Sequence, residues 1–421
     1  MIKEFSKNPT LDEGIYMCDV EAHTFGDRLY LYGTCNKRRF GEATDADGVA
    51  VFHVFSTDDM IHFTDHGVAF SSDKVKWIKT SALWAPDCAY YNGKYYLYYS
   101  IPTGEMGVAV SDAPEGPFED LGKVKGVSGI DPAVLVDDDG TPYLYWGQID
   151  FVRAARLKPS MTEIDEKTVT QPLSVAEHGM HEGSSVRKKD GKYYYVYTET
   201  GRRDMPTCQG HSISDAPLTG YKYGGVVVDV FGCDPKSYNN HGSIECFKGQ
   251  WYIFYHRATH GIYSWGQPRQ LCIEKIFFDE EGKIIEAIPT SSGAGDAILA
   301  SETIHAAYTA EIGGGAYNDE CGDKHYLALS RIGPGAYATY RYLDFNGEDT
   351  LTLRLRGEGV SRIELYVDGK YHAFAKVELP IFFTEKSFSL PALSGRHEIT
   401  LKFYGHFSDA DISEFTFSKG S

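Results

Sequence analysis

The hydrophobic and polar positions along the chain follow the pattern of many short β-strands. Turn dipeptides such as Asn92-Gly93 and Asp190-Gly191 are each followed by a run of Tyr, Leu and Val residues. Asn-Gly and Asp-Gly suit a tight hairpin turn, and aromatic and β-branched residues favour strands. The pieces with a helical apolar period are short, such as residues 157–167. The pattern therefore predicts an all-β protein.

One tyrosine-rich phrase recurs along the first two thirds of the chain. Its five copies are "GDRLYLYGT", "NGKYYLYYS", "DGTPYLYWG", "DGKYYYVYT" and "KGQWYIFYH", around Tyr30, Tyr96, Tyr143, Tyr194 and Tyr252. The intervals of 66, 47, 51 and 58 residues each accommodate about four short strands, which is typical of propeller blades. A large sandwich is the alternative, but sandwiches rarely repeat one phrase at such intervals. Five copies predict a five-bladed β-propeller over residues 1–292.

A second domain is expected after the small-residue stretch "PTSSGAGDA" at 289–297. From about residue 300 onward, apolar and polar residues alternate in runs such as "DTLTLRLRG", "RIELYVDG" and "HEITLKFYG". Alternation with a period of two, interrupted by turns, predicts a jelly-roll-like β-sandwich over residues 300–421.

Composition and charge narrow the class of protein. The 421 residues carry a net charge of −18, which argues against nucleic acid or an anionic membrane as partner and suits a neutral substrate. The opening "MIKEFSKNPTLDEG" has no apolar h-region, so a cytoplasmic protein is expected, or a secreted one if a leader was removed. Eight cysteines without CxxC or metal spacing predict free, mostly buried thiols.

The repeats also align a set of polar residues. Counting back 9 to 12 residues from each repeated tyrosine gives one acid or histidine per blade: Asp19, Asp87, Asp131, Glu182 and His241. Corresponding positions of a propeller converge on its central channel. Taken alone, Asp131 could be a turn residue and Glu182 a solvated loop acid. Clustered carboxylates cost free energy unless chemistry or a cation uses them, so together they favour an active site.

Paired carboxyl groups suit hydrolysis of a glycosidic bond. Carboxylate neighbours would raise the pKa of Glu182, as a general acid requires, and Asp19 on the first blade would be the general base. Because these two acids come from blades one and four, we expect the inverting separation of about 6.5–9.5 Å rather than the about 5–5.5 Å of retaining enzymes.

The blade motifs resemble those of glycoside hydrolase family 43 over residues 8–290. The resemblance is carried by "NPTLDEGIYMCDVEAHTFGDRLYLYGT", "WAPDCAYYNGKYYLYYS", "GIDPAVLVDDDGTPYLYWG", "HEGSSVRKKDGKYYYVYT" and "NNHGSIECFKGQWYIFYH". It implies a five-bladed propeller and an inverting, mostly exo-acting enzyme that removes arabinofuranose, xylose or galactose. Asp19 then matches the general base, Asp131 the aspartate that tunes and orients the acid, and Glu182 the general acid.

The same resemblance assigns further site residues. Trp84 and Asp87 fall in a motif that lines the substrate pocket, and Arg269 matches an arginine that points at the sugar. His241 matches a histidine that in many members helps to hold a structural cation, often calcium, near the propeller axis; the chemistry needs no cofactor. The base motif usually reads Asp-Pro, whereas Val20 follows Asp19 here. Linking loops such as residues 36–50 normally decide the substrate, and no sugar can be inferred from this one.

The C-terminal domain resembles carbohydrate-binding module family 6 in "GAYATYRYLDFNG", "RIELYVDGKYHAFAKVELP" and "DISEFTF". All five tryptophans of the chain precede residue 300, so this domain has no tryptophan platform for a sugar. Packing against the propeller is therefore as good an expectation as sugar binding. We expect the domain to be needed more for stability than for turnover.

The sequence thus favours an inverting, exo-acting α-L-arabinofuranosidase that acts on neutral oligo- or polysaccharides of the plant cell wall. A β-xylosidase is the next alternative and an exo-galactosidase the third. A propeller that binds sugar without catalysis would need the aromatic pocket but not three acids. A scaffold propeller would need no polar channel.

Overall fold

The computed structural model describes residues 2–10, 16–36, 49–233, 239–257, 269–325 and 327–420, and these are almost entirely β-strand and turn. Within these ranges the one α-helix is α1 (Val175–His178), and 3-10 turns lie at Ser72–Lys74, Ile149–Phe151 and Glu166–Thr168. No helix in this part of the chain is long and apolar enough to cross a membrane. The all-β prediction is confirmed.

The first 285 residues form five blades, each an antiparallel sheet. Blade one contains β1 (Ile2–Glu4), β2 (Tyr16–Phe25), β3 (Arg28–Asn36), β4 (Val51–Thr57) and β5 (His62–Ser71). Blade two contains β6 (Trp84–Tyr91), β7 (Lys94–Ser100), β8 (Met106–Ser111) and β9 (Glu119–Lys123), and blade three β10 (Ala133–Val136), β11 (Pro142–Trp146) and β12 (Arg153–Arg156). Blade four contains β13 (Met180–Lys189), β14 (Lys192–Glu199), β15 (Cys208–Ser214) and β16 (Lys222–Asp229), and blade five β17 (Ser243–Phe247), β18 (Gln250–Arg257), β19 (Gln270–Phe278) and β20 (Ile284–Ile285).

The first repeat strands of the blades form a closed ring. Each of β2, β6, β10, β13 and β17 contacts the next, and β17 returns to β2. A buried apolar cluster fills each junction between neighbouring blades. The five-bladed propeller is confirmed, although blade three has three named strands instead of the four expected from the repeat length.

The turn residues adopt the conformation predicted for tight hairpins. Asn92 and Gly93 have φ values of 48° and 82°, and Asp190 and Gly191 have values of 49° and 76°. Positive φ at both central positions is the type I′ geometry that matches the twist of the flanking strands. The repeated phrase is therefore the second strand of a hairpin in each of these blades.

Tyrosines of the repeated phrase join each blade to the next; three of them lie two residues after the repeated tyrosine of their copy, and Tyr194 is the repeated tyrosine itself. A hydroxyl from the second repeat strand donates to a backbone carbonyl in the outer part of the following blade at four junctions: Tyr32 to Pro114 (2.6 Å), Tyr98 to Met161 (2.7 Å), Tyr145 to Pro217 (2.9 Å) and Tyr194 to Gly282 (2.7 Å). Tyrosine suits this position because its ring fills the apolar junction while its hydroxyl satisfies a buried carbonyl. This explains why one phrase recurs along the chain.

Blade five meets blade one through the N-terminal segment. The side-chain amide of Asn8 donates to the Ile273 carbonyl at 3.1 Å and to Glu274 at 2.7 Å, and its oxygen accepts the Ile273 N–H at 2.9 Å. Val20 and Gly242 form a parallel bridge across the same junction. Residues 2–10 therefore seal the ring.

The C-terminal domain is a separate strand-rich unit with its own apolar core. It contains β21 (Ile298–Leu299), β22 (Ile304–His305), β23 (Glu311–Gly313), β24 (Tyr317–Glu320), β25 (Leu327–Ile332), β26 (Tyr337–Val367), β27 (Lys370–Glu378) and β28 (Thr384–Ser418). Residues 399–402 of β28 pair on one side with 337–340 and on the other with 364–367 of β26. This arrangement is consistent with the predicted sandwich, and the domain limits of 292 and 300 remain predictions.

The cysteines agree with the sequence prediction. All eight are free thiols, and seven of them are buried.

Candidate active site

Asp19 lies on β2 where the strand bulges between Cys18 and Glu21. Its φ of 51° is uncommon for a residue with a side chain, and such strained positions concentrate at functional sites. A bulge re-aims a side chain relative to its strand, and here it leaves the carboxylate only 7 % exposed. The bulge therefore points the Asp19 side chain in a direction that regular strand geometry would not give it.

Arg269 clamps the Asp19 carboxylate. Its Nη1 donates to Oδ1 at 2.8 Å and its Nη2 to Oδ2 at 3.1 Å. Burial by itself raises the pKa of Asp19, but the charges of Arg269, His241 and His256 outweigh it and hold that pKa well below its ordinary value. Asp19 is therefore ionised at neutral pH, which is the state a general base requires.

Glu182 lies on β13, the first strand of blade four, beside a second bulge. Burial, followed by the negative charge of Asp19, raises the pKa of Glu182 to about 7 against the opposing effect of Arg269. A carboxyl that keeps its proton near neutral pH can act as a general acid. The two carboxyls therefore have opposite pKa shifts within one site.

Gly183 allows the backbone of β13 to approach His241 and Thr198 closely. It has a φ of 75°, and a Cβ atom there would lie 2.9 Å from Cγ of His241 and 2.7 Å from Oγ1 of Thr198. Any side chain at this position would displace the histidine or the strand. A glycine directly after Glu182 therefore brings blade four against His241 of blade five.

Asp131 holds the backbone next to Glu182. Its Oδ2 accepts the Gly183 N–H at 3.1 Å, and its φ is 56°. Burial raises the pKa of Asp131 to about 7; His241 opposes that shift, while Glu182 and Asp19 add to it. This contact suits the predicted orienting role, which remains a prediction.

His241 lies beside Asp19 and Gly183. Its Nδ1 is 3.7 Å from Oδ1 of Asp19, and its buried ring packs against Gly183. Asp19, Asp131, Glu182 and His241 are thus brought together from four blades, as the aligned repeat positions predicted.

Asp87, the fifth residue predicted to line the channel mouth, does not join these four residues. It is 0 % exposed, and its Oδ1 contacts Nε2 of His23 at 2.5 Å while its Oδ2 accepts the Val134 N–H at 2.6 Å. A carboxylate enclosed in this way supports the packing of β2, β6 and β10 rather than facing a pocket. Its predicted sugar contact is not supported by this position.

Trp84 begins β6 and is half-buried. The next residue, Ala85, donates its N–H to Oγ1 of Thr34 at 2.8 Å, and Thr34 in turn hydrogen-bonds Asp19. Trp84 is therefore one residue from the Asp19 network, and its predicted sugar contact stays a prediction. Most of the 36–50 loop lies outside the described residues.

A buried ionic network that sequence reasoning missed lies along the channel. Arg187 on β13 donates from Nη2 to Glu21 Oε2 and from Nε to Glu245 Oε2, both at 2.8 Å. His23 links this network to Asp87. The spacing of Glu21 and His23 was the available signal, since residues two apart lie on the same face of a strand.

A calcium ion held by His241 stays a prediction. Calcium takes six to eight oxygen ligands, which can include water. Of the carboxylates near His241, Asp19 has both oxygens bound by Arg269, and Asp131 accepts the Gly183 N–H. Within the described ranges, two sets of side chains are close enough to share a metal, Cys18–Asp19–His256 and Glu21–His23–Asp87, and each contacts an arginine that would repel a cation. No step of the chemistry is therefore assigned to a metal.

Comparison with protein families identifies the propeller. The family model described as glycosyl hydrolases family 43 matches residues 18–284, from β2 to β20. The chain belongs to glycosyl hydrolase family 43. It is therefore a glycoside hydrolase, and the resemblance seen in the blade motifs is confirmed.

Relatives and solved structures are similar to one or both parts of the chain. A xylosidase/arabinosidase of Thermoclostridium stercorarium is 30 % identical over 478 residues, covering 97 % of this chain and 98 % of its own. A β-xylosidase/α-arabinofuranosidase from a compost metagenome, solved with xylotriose in a calcium-free form, has a TM-score of 0.58 at 27 % identity and covers 68 % of this chain and 98 % of its own. A family 43 arabinoxylan arabinofuranohydrolase of Bacillus subtilis, solved with cellotetraose, has a TM-score of 0.58 at 23 % identity and covers 99 % of both chains, so it shares the fold of both domains.

Proposed function

We propose that this hydrolase releases a terminal pentose from a neutral oligosaccharide with inversion of configuration, and that α-L-arabinofuranose is the preferred sugar. The observation that carries the mechanism is the opposite shift of two carboxyl pKa values in one site. Arg269 keeps Asp19 ionised, whereas burial keeps Glu182 protonated to about pH 7. An acid and a base that coexist at one pH are what single-step hydrolysis requires.

In the proposed reaction, Asp19 takes a proton from a water molecule that attacks the anomeric carbon. Glu182 donates its proton to the departing oxygen on the other face of the sugar. Asp131 holds the Gly183 backbone and so fixes the direction of the Glu182 carboxyl. Both proton transfers are supplied by side chains, so we propose that the chemistry needs no cofactor.

The choice of sugar rests on the relatives. Their names combine xylosidase and arabinosidase activities, and solved relatives hold xylotriose or cellotetraose. A net charge of −18 favours a neutral substrate over an anionic one. We therefore propose plant cell-wall oligosaccharides as the substrate class, with β-xylosidase activity as the second candidate.

A panel of aryl glycosides tests this proposal. The wild type should cleave the α-L-arabinofuranoside fastest, the β-D-xyloside next and the β-D-galactoside slowest. Asp19→Asn serves as the control for contaminating activity. Faster cleavage of the xyloside would make β-D-xylose the preferred sugar in place of α-L-arabinofuranose. An absence of cleavage on all three, with sugar binding still measurable by calorimetry, would refute the pentosidase assignment.

A further inference from the structure

The last two residues of β18 face two different partners. His256, on one side, accepts the Asp19 N–H at Nδ1 (3.2 Å), and that nitrogen is 3.6 Å from Asp19 Oδ1. Arg257, which is 0 % exposed, donates from Nη1 to the Thr309 carbonyl at 2.5 Å and from Nη2 to the Cys233 carbonyl at 3.0 Å. Successive side chains of a strand point to opposite faces. The end of β18 therefore connects the general base to the C-terminal domain.

The partners of Arg257 are themselves held by backbone hydrogen bonds. The Cys233 carbonyl also accepts the N–H of Ile312, a residue of β23 in the C-terminal domain, at 2.8 Å. Thr309 is followed by Ala310, whose N–H donates to the Thr339 carbonyl on β26 at 2.7 Å. The guanidinium thus binds a carbonyl of the C-terminal domain and a propeller carbonyl that this domain also binds.

The same strand end also places Arg269. In the ladder between β18 and β19, Arg257 pairs with Gln270 and His256 with Leu271, and Arg269 directly precedes Gln270. Two of the blade-five groups that contact Asp19, His256 and Arg269, therefore depend on where β18 ends. A shift of β18 would move His256 and Arg269 together.

We propose that Arg257 is a positioning residue and that the C-terminal domain acts on hydrolysis through it. By fixing the end of β18 against Thr309, it sets the contact of His256 with Asp19 and the angle of the Arg269 clamp. This inference rests on the proposed role of Asp19 as the base. A misplacement of about 1 Å in a catalytic group can cost about 100-fold in rate.

The test compares Arg257→Met with Arg341→Met in the full chain. Arg341 is a matched control because it also joins the two parts of the protein: it donates to the Pro289 carbonyl at 3.2 Å and binds Glu311 at 2.6 Å, with Glu398 as its other carboxylate partner. None of these residues belongs to the active site. The two variants therefore remove the same functional group from the same interface.

We expect Arg257→Met to lower kcat on an aryl pentoside by about 10- to 100-fold. The acid limb of its pH profile should move to higher pH, because the positive groups around Asp19 are misplaced. Arg341→Met should lower the melting temperature but keep kcat and the acid limb of the wild type. Arg257→Lys should recover part of kcat, since an ammonium group can still reach one of the two carbonyls.

Hydrogen exchange of the peptide containing residues 16–25 gives a measurement independent of turnover. The Asp19 N–H should exchange faster in Arg257→Met than in Arg341→Met or the wild type. A wild-type kcat, acid limb and exchange rate in Arg257→Met would overturn the inference, and so would an equal loss of kcat in Arg341→Met. If Arg257→Met does not fold, Arg257→Lys carries the same comparison. If the wild type cleaves no glycoside, the proposed function fails and the exchange rates alone decide the positioning role.

Discussion

Arg269 binds Asp19 through two parallel contacts, with Nη1–Oδ1 at 2.8 Å and Nη2–Oδ2 at 3.1 Å. Two-point contacts between guanidinium and carboxylate are among the stronger ion pairs and fix the direction of both groups. This pair keeps Asp19 ionised, while burial raises the pKa of Glu182 to about 7. The proposed division of roles, with Asp19 as base and Glu182 as acid, therefore follows from the position of Arg269.

The pH profile of kcat/KM should be bell-shaped, with Asp19 setting the acid limb and Glu182 the alkaline limb. Glu182 must be protonated, so activity should fall as pH rises through about 7, and Asp131 titrates in the same range and shares that limb. Asp19 must be ionised, and its lowered pKa places the acid limb below the ordinary aspartate range. Rates measured between pH 3 and 10 on an aryl pentoside check this.

Arg269→Lys should move the acid limb upward, because an ammonium group cannot make the two-point contact. A profile in which Arg269→Lys leaves the acid limb unchanged would show that Asp19 does not set it.

Glu182→Gln should lose about 10²- to 10⁴-fold in kcat on natural oligosaccharides, because the leaving oxygen then departs without a proton. Activated aryl glycosides should lose less, since their leaving groups need little protonation. The matched control is Glu177→Gln, an exposed acid of α1 five residues away, which should keep wild-type rates. Equal rates of Glu182→Gln and wild type on both kinds of substrate would remove Glu182 as the acid.

The same variant should be more stable than the wild type at alkaline pH. The pKa of Glu182 is higher in the folded state than in the unfolded chain, so its contribution to stability is present at low pH and is lost as pH rises through about 7. Glutamine stays neutral, and at pH 8 Glu182→Gln should gain on the order of 1–3 kcal/mol. Urea unfolding at pH 4 and pH 8 measures this; a gain of equal size at both values would contradict it.

Hydrolysis should invert the anomeric configuration. Asp19 and Glu182 reach the channel from blades one and four, which leaves room for a water molecule between the base and the sugar. Proton NMR of the first product, recorded before mutarotation, reports its configuration. Retention, or transfer of the sugar to methanol, would require a nucleophile in place of a base.

Arg187→Met should destabilise the propeller by about 3–5 kcal/mol, because it leaves the buried Glu21 and the partly buried Glu245 without their cation. Lys188→Met is the matched control. Lys188 lies next on β13 and forms partly exposed ion pairs with Asp137 and Asp138, whose loss should cost much less. Denaturant unfolding of the two variants gives the difference. Equal losses would show that the channel network adds no more stability than a surface pair.

Much of the fold could be predicted because the sequence repeats itself. The turn dipeptides, the tyrosine phrase and their spacing report local structure, and five aligned copies indicate a closed ring. The same alignment located Asp19, Asp131, Glu182 and His241. It could not show that Asp87 turns inward to His23, because that contact joins strands of two blades 64 residues apart.

The features that escaped prediction depend on contacts distant in sequence. Arg187 reaches Glu21 across 166 residues, and Arg257 reaches Thr309 across 52. Arg187 lies within a blade motif and Arg257 directly after the last one, but neither motif indicates the partner of its arginine, which is recognised only when the buried contacts are known. The expectation that the C-terminal domain is needed more for stability than for turnover stays a prediction, and the sequence could not show the strand end that joins this domain to His256.

The junction between blades five and one differs from the other four, since residues 2–10 seal it where tyrosine hydroxyls join the rest. Asp19 lies on one side of this junction, and His241, His256 and Arg269 lie on the other. In the proposed reaction the sugar lies against residues on both sides of this junction and binds only the closed ring, so its binding should stabilise the folded state in proportion to its occupancy. The proposed substrate would then help to hold blades five and one together.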